Sequence, residues 1–136
     1  MRLAPSGGMG SLRTVHLGEI GENLACAALE QRGYAIIARR YRTRVGEIDV
    51  VAVDGRTLVF VEVKTRASTR CGVPAEAVTR WKQQRIVTMA LSYLAGDRRH
   101  PGPIRFDVVS VLMRPDGPPI VEVVRGAFTA DCWQRR

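Results

Sequence analysis

The sequence has few cysteines and no long apolar run, and both absences exclude classes of protein. The three cysteines, Cys26, Cys71 and Cys132, are odd in number and lack CxxC or Cys/His spacing, so we expect neither a disulfide framework nor a zinc site. No run of about 18 apolar residues is present to span a bilayer, and residues 1–12 lack the apolar core of a secretory signal. We therefore expect a cytoplasmic protein without a membrane partner.

Acidic residues are scarce relative to basic ones. The chain carries 21 Lys and Arg against 13 Asp and Glu, which gives a formal net charge of +8. A basic balance of this size is typical of proteins that bind polyanions, of which nucleic acid is the commonest. Contact with the ribosome and simple solubility stay open as alternatives.

The chain also lacks internal repeats and low-complexity blocks, which favours a single domain of 136 residues with a modest core. We predict a flexible leader over residues 1–12, the folded domain over 13–128 and a C-terminal tail over 129–136. Hydrophobic spacing and turn signals predict an αβββαββ order, and hence an α/β (α+β) domain with a mixed central sheet flanked by helices. The predicted elements are a helix at 17–31, strands at 34–42, 46–53 and 56–66, a helix at 75–96, and strands at 104–112 and 120–124.

The segment GEIDVVAVDGRTLVFVEVKTR, residues 46–66, predicts a hairpin. A turn centred on Asp54-Gly55 would pair Asp49 with Phe60. A four-residue loop would instead set Asp49 opposite Glu62. Side chains alternate between faces, so one face is predicted to carry Glu47, Asp49, Val51, Leu58, Phe60, Glu62 and Lys64, and the other Ile48, Val50, Ala52, Val59, Val61 and Val63.

The carboxylates cluster at the end of this hairpin away from its turn. Their face also carries Val51, Leu58 and Phe60, which favours a sheet covered on both sides over the alternative of a half-exposed hairpin with a solvated charged face. Two carboxylates about 5 Å apart repel by roughly 3 kcal/mol at an effective dielectric of about 20. A divalent cation such as Mg²⁺, which binds carboxylate, water and phosphate oxygens, would remove this repulsion. The pattern therefore indicates metal-assisted phosphate chemistry.

Asp49, followed after twelve residues by Glu62-Val63-Lys64, resembles the D...ExK signature of the PD-(D/E)XK nuclease superfamily, with Ile48 in place of the proline that names the motif. The segments GEIGENLACAALEQRGY, YRTRVGEIDVV, LVFVEVKTR and IRFDVVSV resemble, in this order, the YraN-like family of small bacterial proteins, which is usually placed within that superfamily. The resemblance covers about residues 17–128. It implies a restriction-endonuclease-like, or Holliday-junction-resolvase-like, fold.

The resemblance also implies a role for each residue of the signature. Asp49, Glu62 and the carbonyl of Val63 would hold Mg²⁺ or Mn²⁺. Lys64 would assist the attacking water or stabilise developing charge, so that Asp49, Glu62 and Lys64 are the expected catalytic residues. Related nucleases, including archaeal Holliday-junction resolvases, add an acidic metal ligand from the first helix, which here is Glu22.

Further charged residues are candidates beside these. The helical wheel places Glu22 at the border of the apolar stripe, whereas Glu19 and Glu30 point away and are expected to be solvated. Glu47 is an accessory candidate because it shares the face of the other carboxylates. Lys82 is another, since it lies within an apolar stripe and either reaches the acidic pocket or a phosphate, or snorkels to solvent.

Five arginines are candidates for contact with a phosphate backbone, although arginines near a turn could equally be solvated. They are Arg39, Arg40, Arg42, Arg44 and Arg66. Arg105 and Asp107 form either a structural ion pair or a substrate contact. Trp81 and Trp133 could stack on bases, but packing in the core or in an interface is the favoured reading.

Together these features predict a Mg²⁺- or Mn²⁺-dependent nuclease that hydrolyses phosphodiester bonds in DNA, rather than RNA, with structured or branched DNA as a candidate substrate. One alternative is a non-catalytic nucleic-acid-binding module of nuclease-like fold. Another is a basic factor that contacts the ribosome or another protein. The carboxylates favour the enzyme, because a pure binding module gains nothing from groups that repel phosphate. Homodimer formation stays open.

Overall fold

The computed structural model describes residues 6–67, 78–96 and 100–130, with side chains described from His16 onward. The elements follow the predicted αβββαββ order, which is confirmed. They are α1 (Ser6–Gln31), β1 (Ala35–Arg42), β2 (Glu47–Asp54), β3 (Thr57–Ala67), α2 (Arg80–Ala95), β4 (Ile104–Met113) and β5 (Ile120–Phe128).

The five strands form one sheet in the order β1-β2-β3-β4-β5. The β3–β4 pair is parallel and the other three pairs are antiparallel. Parallel neighbours need a crossover connection, and the segment that contains α2 makes it. The predicted mixed sheet flanked by helices is therefore confirmed.

Each helix covers one face of the sheet. Ala25 and Leu29 of α1 pack with Val50, Val59 and Val61 in one buried cluster. On the opposite face, Ile86, Met89 and Tyr93 of α2 pack with Val51, Leu58 and Phe60. Both faces of the β2–β3 hairpin are thus covered, as predicted, and the alternative of a half-exposed hairpin is wrong.

The helices begin and end at recognisable signals. α1 begins at Ser6, not at residue 17, and so includes part of the predicted leader. After α1, Gly33 adopts a φ of 92°, which side-chain-bearing residues rarely adopt, and confirms the predicted glycine stop. The Thr79 side chain caps α2 by accepting a hydrogen bond from the Lys82 backbone N–H at 3.1 Å. Among the described residues, neither helix is long and apolar enough to cross a bilayer.

The β2–β3 hairpin turns one residue later than predicted. Its two central residues are Gly55-Arg56 rather than Asp54-Gly55, and the glycine has a φ of 66°. Phe60 consequently pairs with Val51 and not with Asp49. The pairing from a turn centred on Asp54-Gly55 is therefore wrong, and the observed pairs, such as Val53 with Leu58, are those of the alternative register that sets Asp49 opposite Glu62. The odd residues of β2 near the turn still share a face with the even residues of β3.

Ion pairs from the far strands explain this shift. Asp54 Oδ2 accepts hydrogen bonds from Arg105 on β4 at 2.8 Å and from Arg125 on β5 at 3.0 Å, which holds Asp54 in β2 and out of the turn. Arg105 also pairs with the buried Asp107 at 2.9 Å, and the Tyr34 hydroxyl donates to Asp107 at 2.7 Å. Of the two readings of Arg105 and Asp107, the structural ion pair is thus the one that the contacts support.

In both β1 and β2, side chains depart from strict alternation between the two faces of the sheet, and they do so at positions that pair with each other. Ala38 and Tyr41 of β1 pack in the α2-side cluster, as do Ile48 and Val51 of β2. Each pair is three residues apart, whereas regular alternation requires an even separation. The prediction that Ile48 shares the opposite face with Val50 is therefore wrong, because β2 rotates between these two residues.

Candidate active site

Three carboxylates from three elements come together at the end of the hairpin away from its turn. We call Glu22 of α1, Asp49 of β2 and Glu62 of β3 the acidic cluster. Asp49 lies between two cavities, one of about 560 Å³ that Glu22 also lines and one of about 370 Å³ that Glu62 also lines. Glu47 and Val63 contribute to the walls of both. Asp49 is thus the member of the acidic cluster that lines both cavities.

Asp49 is half-buried, and its charge is poorly compensated. The backbone N–H of Val63 donates a hydrogen bond to Asp49 Oδ2 at 2.8 Å. Burial and the nearby charge of Glu62 nevertheless raise the pKa of Asp49 from 3.8 to about 7. Near neutral pH this carboxylate therefore takes up a proton or needs a cation.

Glu62 has a cationic partner on the helix opposite its strand. Lys82 Nζ of α2 lies 3.0 Å from Glu62 Oε2, and the Glu62 side chain is 11% exposed. Of the two readings of Lys82, contact with the acidic pocket is the one that the structure shows. Lys64 is half-buried on β3, and it is not among the described residues that line either cavity. A cation from α2 thus contacts Glu62, whereas the sequence pattern emphasised Lys64, which is on the same strand as Glu62.

Glu22, which the helical wheel placed at the border of the apolar stripe, is buried and is bound by two arginines. Arg39 and Arg40 donate to the same oxygen, Glu22 Oε1, at 3.0 Å and 2.9 Å. Arg39 also donates to Asn23 Oδ1 at 2.7 Å. Glu19 is exposed, as predicted, and lies 4.0 Å from Arg40. These arginines are therefore engaged by the protein's own carboxylates.

An unusual backbone conformation brings consecutive arginines to one carboxylate. Arg40 has a φ of 55°, which costs a side-chain-bearing residue roughly 1–2 kcal/mol. Adjacent residues of a regular strand would point to opposite faces, yet Arg39 and Arg40 both reach Glu22. The backbone conformation at Arg40 thus places two guanidinium groups beside Glu22.

A close approach of α1 to β3 sets the position of Glu22. A Cβ atom on Gly21 would lie 1.9 Å from Thr65 Oγ1 and 2.8 Å from Thr65 Cβ, so only glycine fits without displacement. Gly18, on the same helix, has nothing within 4 Å of such an atom. The glycine that precedes Glu22 therefore lets the helix lie against the strand that carries Glu62.

The other three arginines predicted to contact nucleic acid differ in their surroundings. Arg42 is exposed and pairs with Glu47 at 2.7 Å. Arg44 is exposed in the connection between β1 and β2, and Arg66 is half-buried near the end of β3. The positive charge near the site is thus partly held by ion pairs and partly open to solvent.

The donor chemistry of the acidic cluster fits a hard divalent cation. Within the described ranges, no group of three or more His, Cys, Asp and Glu side chains is arranged to hold a metal ion. Mg²⁺ needs only one or two carboxylates, however, and completes its octahedron with water and phosphate oxygens. Asp49, Glu62 and the Val63 carbonyl are donors of this kind, and the raised pKa of Asp49 indicates that a cation there would relieve repulsion.

Trp81 contradicts one half of its favoured reading, which was packing in the core or in an interface. Its residue exposure is 64%, so core packing is wrong for this tryptophan. It lines the cavity of about 370 Å³ together with Asp49 and Glu62. Helical periodicity alone could not place it there, because the exposed side of α2 faces the acidic cluster only after the sheet has formed. Trp133 lies outside the described residues.

Comparison with known proteins gives a consistent result. The model of a family described as "Uncharacterised protein family UPF0102" matches residues 21–111, a range that contains the acidic cluster, Lys64 and Lys82. A UPF0102 protein of Symbiobacterium thermophilum is 51% identical over 114 residues, which cover 84% of this chain and 97% of that protein. A UPF0102 protein of Syntrophus aciditrophicus is 48% identical over 118 residues, covering 87% and 90%. One of Geotalea uraniireducens is 46% identical over 112 residues, covering 82% and 88%.

Proposed function

The chain belongs to the uncharacterised protein family UPF0102, the YraN-like family of the sequence resemblance, and we propose that it is a metal-dependent nuclease that hydrolyses phosphodiester bonds in DNA. The observation that carries this proposal is Asp49, a half-buried carboxylate that lines one cavity with Glu22 and another with Glu62, and whose pKa is raised by burial and by Glu62, in a chain of net charge +8. The D...ExK spacing and the αβββαββ order support the same reading, that of a restriction-endonuclease-like nuclease.

The proposal gives each residue a task. Asp49, Glu62 and the Val63 carbonyl would hold Mg²⁺ or Mn²⁺, which would supply Lewis-acid chemistry for phosphodiester hydrolysis when bound. The Val63 amide keeps Asp49 oriented. Lys64 assists the water or stabilises charge on the phosphate. Lys82 offsets the charge of Glu62 and presents an ammonium group to the cavity.

Glu22 has a conditional role in this scheme. Its Oε1 is bound by Arg39 and Arg40, so both carboxylate oxygens are available to a metal only when these arginines release it. A phosphate backbone is a competing partner for both guanidinium groups. Substrate binding would then free Glu22 at the moment when a ligand is needed.

Cleavage of labelled linear, flapped and four-way DNA in Mg²⁺ or Mn²⁺ tests the proposal. Wild-type protein is expected to cut at least one substrate, and Asp49→Asn and Glu62→Gln are expected to lose at least about 100-fold in rate. Glu122→Gln, which neutralises an exposed carboxylate on β5, is the control and should cut normally. Absence of cleavage by the wild type in either metal, or equal cleavage by Asp49→Asn, would overturn the assignment.

Thermal unfolding gives a second readout that does not depend on finding the right substrate. A cation that binds the folded state raises the melting temperature by mass action. Millimolar Mg²⁺ or Mn²⁺ should therefore raise the melting temperature of the wild type, and Asp49→Asn should blunt the rise. Equal shifts for both proteins would place metal binding elsewhere.

A second candidate function is a non-catalytic nucleic-acid-binding module. The ion pairs of Glu22 with Arg39 and Arg40, and of Glu62 with Lys82, favour it because they already compensate two of the three carboxylates. This reading predicts salt-sensitive DNA binding without cleavage and without a metal-dependent melting shift.

A further inference from the structure

Trp81 is the most exposed large hydrophobic residue among those described. It is the second residue of α2 and is 64% exposed, compared with 49% for Ile37 on β1 and 43% for Leu91 on the same helix. A tryptophan can bury 150–250 Å² of surface. An indole left this open contributes little to the core and is available to a ligand.

The indole is held in place beside the acidic cluster. The Arg85 guanidinium lies 5.0 Å from the centroid of the Trp81 ring, and Arg85 also donates a hydrogen bond to the Val45 carbonyl in the connection before β2. A cation over one ring face is attracted by the ring's quadrupole, which favours this orientation of the ring. Trp81 shares its cavity with Asp49 and Glu62, so the ring is a positioned surface next to these carboxylates.

The charged side chains next to Trp81 on α2 are cationic. The first turn of α2 contains no acidic residue and carries Arg80 and Lys82, one on each side of Trp81 in sequence. The Lys82 ammonium lies at Glu62, while Arg80 is exposed. A flat aromatic ring with cations beside it matches a nucleotide, whose base stacks on the ring and whose phosphate meets the positive charge.

We infer that Trp81 is a stacking platform for an unpaired base of the substrate, and that it selects nucleic acid with an unpaired nucleotide beside the scissile phosphate. A base within a duplex has both faces covered by its neighbours, so a single-stranded end, a flap or an unstacked junction base can reach the ring and a continuous duplex cannot. The inference rests on the proposed function, since it specifies which form of nucleic acid that site accepts.

Binding without divalent metal tests this inference separately from cleavage. The affinities of wild type, Trp81→Ala, Trp81→Phe and Leu91→Ala are measured in chelator with a blunt duplex, the same duplex carrying a single-stranded overhang, and an overhang of abasic sugars. Trp81→Ala should weaken binding of the base-bearing overhang by about 5- to 150-fold, the range expected for one stacked base. Trp81→Phe should retain most of the affinity, and Leu91→Ala, which also removes exposed apolar surface, should bind like wild type.

Indole fluorescence reports the contact directly. The chain has two tryptophans, so a Trp133→Phe background leaves Trp81 as the emitting indole. A base-bearing overhang should quench this emission, whereas the abasic overhang and the blunt duplex should quench it much less. Equal quenching by all three ligands would overturn the inference.

The remaining outcomes also decide the question. Unchanged overhang affinity in Trp81→Ala, or an equal loss on blunt duplex and overhang, would rule out a stacked unpaired base. Self-association in sedimentation that Trp81→Ala abolishes would assign the surface to a second copy of the chain and likewise overturn the inference. If the wild type cleaves DNA while Trp81→Ala binds normally, this inference alone fails. If the wild type never cleaves but Trp81 is needed for overhang binding, the nuclease proposal fails and the platform stands.

Discussion

The backbone N–H of Val63 donates a hydrogen bond to Asp49 Oδ2 over 2.8 Å, so a side chain of β2 is fixed by the backbone of β3. The β2–β3 ladder ends at the pair of Val50 and Val61. Beyond that pair, the Asp49 carboxylate takes the place of the backbone acceptor that β2 no longer offers. The hydrogen bond orients the carboxylate, but it does not offset the burial and the charge of Glu62 that raise its pKa to about 7.

Asp49→Asn should stabilise the metal-free protein at high pH and leave it unchanged at low pH. The pKa of Asp49 is raised from 3.8 to about 7 in the folded state, so the folded protein holds this proton more tightly than the unfolded chain does. The stability that this gives the wild type is complete below about pH 4 and is lost as the pH rises through about 7. Asparagine keeps the acceptor for Val63 and does not ionise. The free energy of unfolding of the variant, measured by urea titration in chelator, should exceed that of the wild type by about 1 to 4 kcal/mol at about pH 8.

Glu47→Gln is the matched control for this measurement, since Glu47 is on the same strand but is exposed and paired with Arg42. The difference in the free energy of unfolding between Glu47→Gln and wild type should not increase in this way as the pH rises. A constant difference between Asp49→Asn and wild type across the pH range would contradict the raised pKa.

Gly21→Ala should destabilise the protein, although alanine is the better helix former. Its Cβ would lie 1.9 Å from Thr65 Oγ1 and force α1 away from β3, at a cost of about 1–3 kcal/mol in the free energy of unfolding. Gly18→Ala meets nothing within 4 Å and should stabilise by up to about 1 kcal/mol. Urea denaturation of the two variants checks the difference, and a stabilised Gly21→Ala would show that the helix can shift freely.

Tyr34→Phe should lower stability at neutral pH and remove a pH dependence in the alkaline range. Burial, and then the hydrogen bond to Asp107, raise the pKa of Tyr34 from 10.0 to about 12. The stability from this group is therefore complete below about pH 10 and lost as the pH rises through about 12. We expect a loss of about 1.5–3 kcal/mol in the free energy of unfolding at about pH 8, and a smaller difference from wild type at about pH 12.

Equilibrium denaturation at the two pH values checks this expectation. The network of Asp107 with Arg105 stays in place in the variant, so the fold should persist. A Tyr34→Phe protein as stable as wild type at about pH 8 would show that the hydroxyl contributes nothing.

DNA affinity should fall steeply with added salt, because each neutralised phosphate releases counterions. Arg44→Ala, in the exposed connection next to the acidic cluster, should reduce the slope of log affinity against log salt by about 1. Arg56→Ala removes the same charge from the hairpin turn at the other end of the sheet and should leave the slope nearly unchanged. Titration of duplex DNA at several salt concentrations gives the slopes, and equal slopes for both variants would place the interface elsewhere.

Local patterns in the sequence predicted the element order and the double-sided cover of the hairpin. Alternation identifies strands, and apolar spacing identifies helices, because both reflect neighbours within one element. The same patterns predicted that Asp49 and Glu62 lie on adjacent strands and that Glu22 lies at the border of the apolar stripe of α1. They failed at Ile48, since the rotation of β2 there depends on how β1 and β2 twist together.

By itself, then, the sequence determined which elements form, which faces they bury and which carboxylates lie near one another. Only the tertiary structure decided the hairpin register, because the turn position depends on ion pairs of Asp54 with Arg105 and Arg125, which follow it by many residues in the chain. It also decided that Lys82 contacts Glu62 and that Trp81 opens into the same cavity. These contacts join elements whose relative position follows from the packing of α2 on the sheet, and no spacing within a single element encodes that packing.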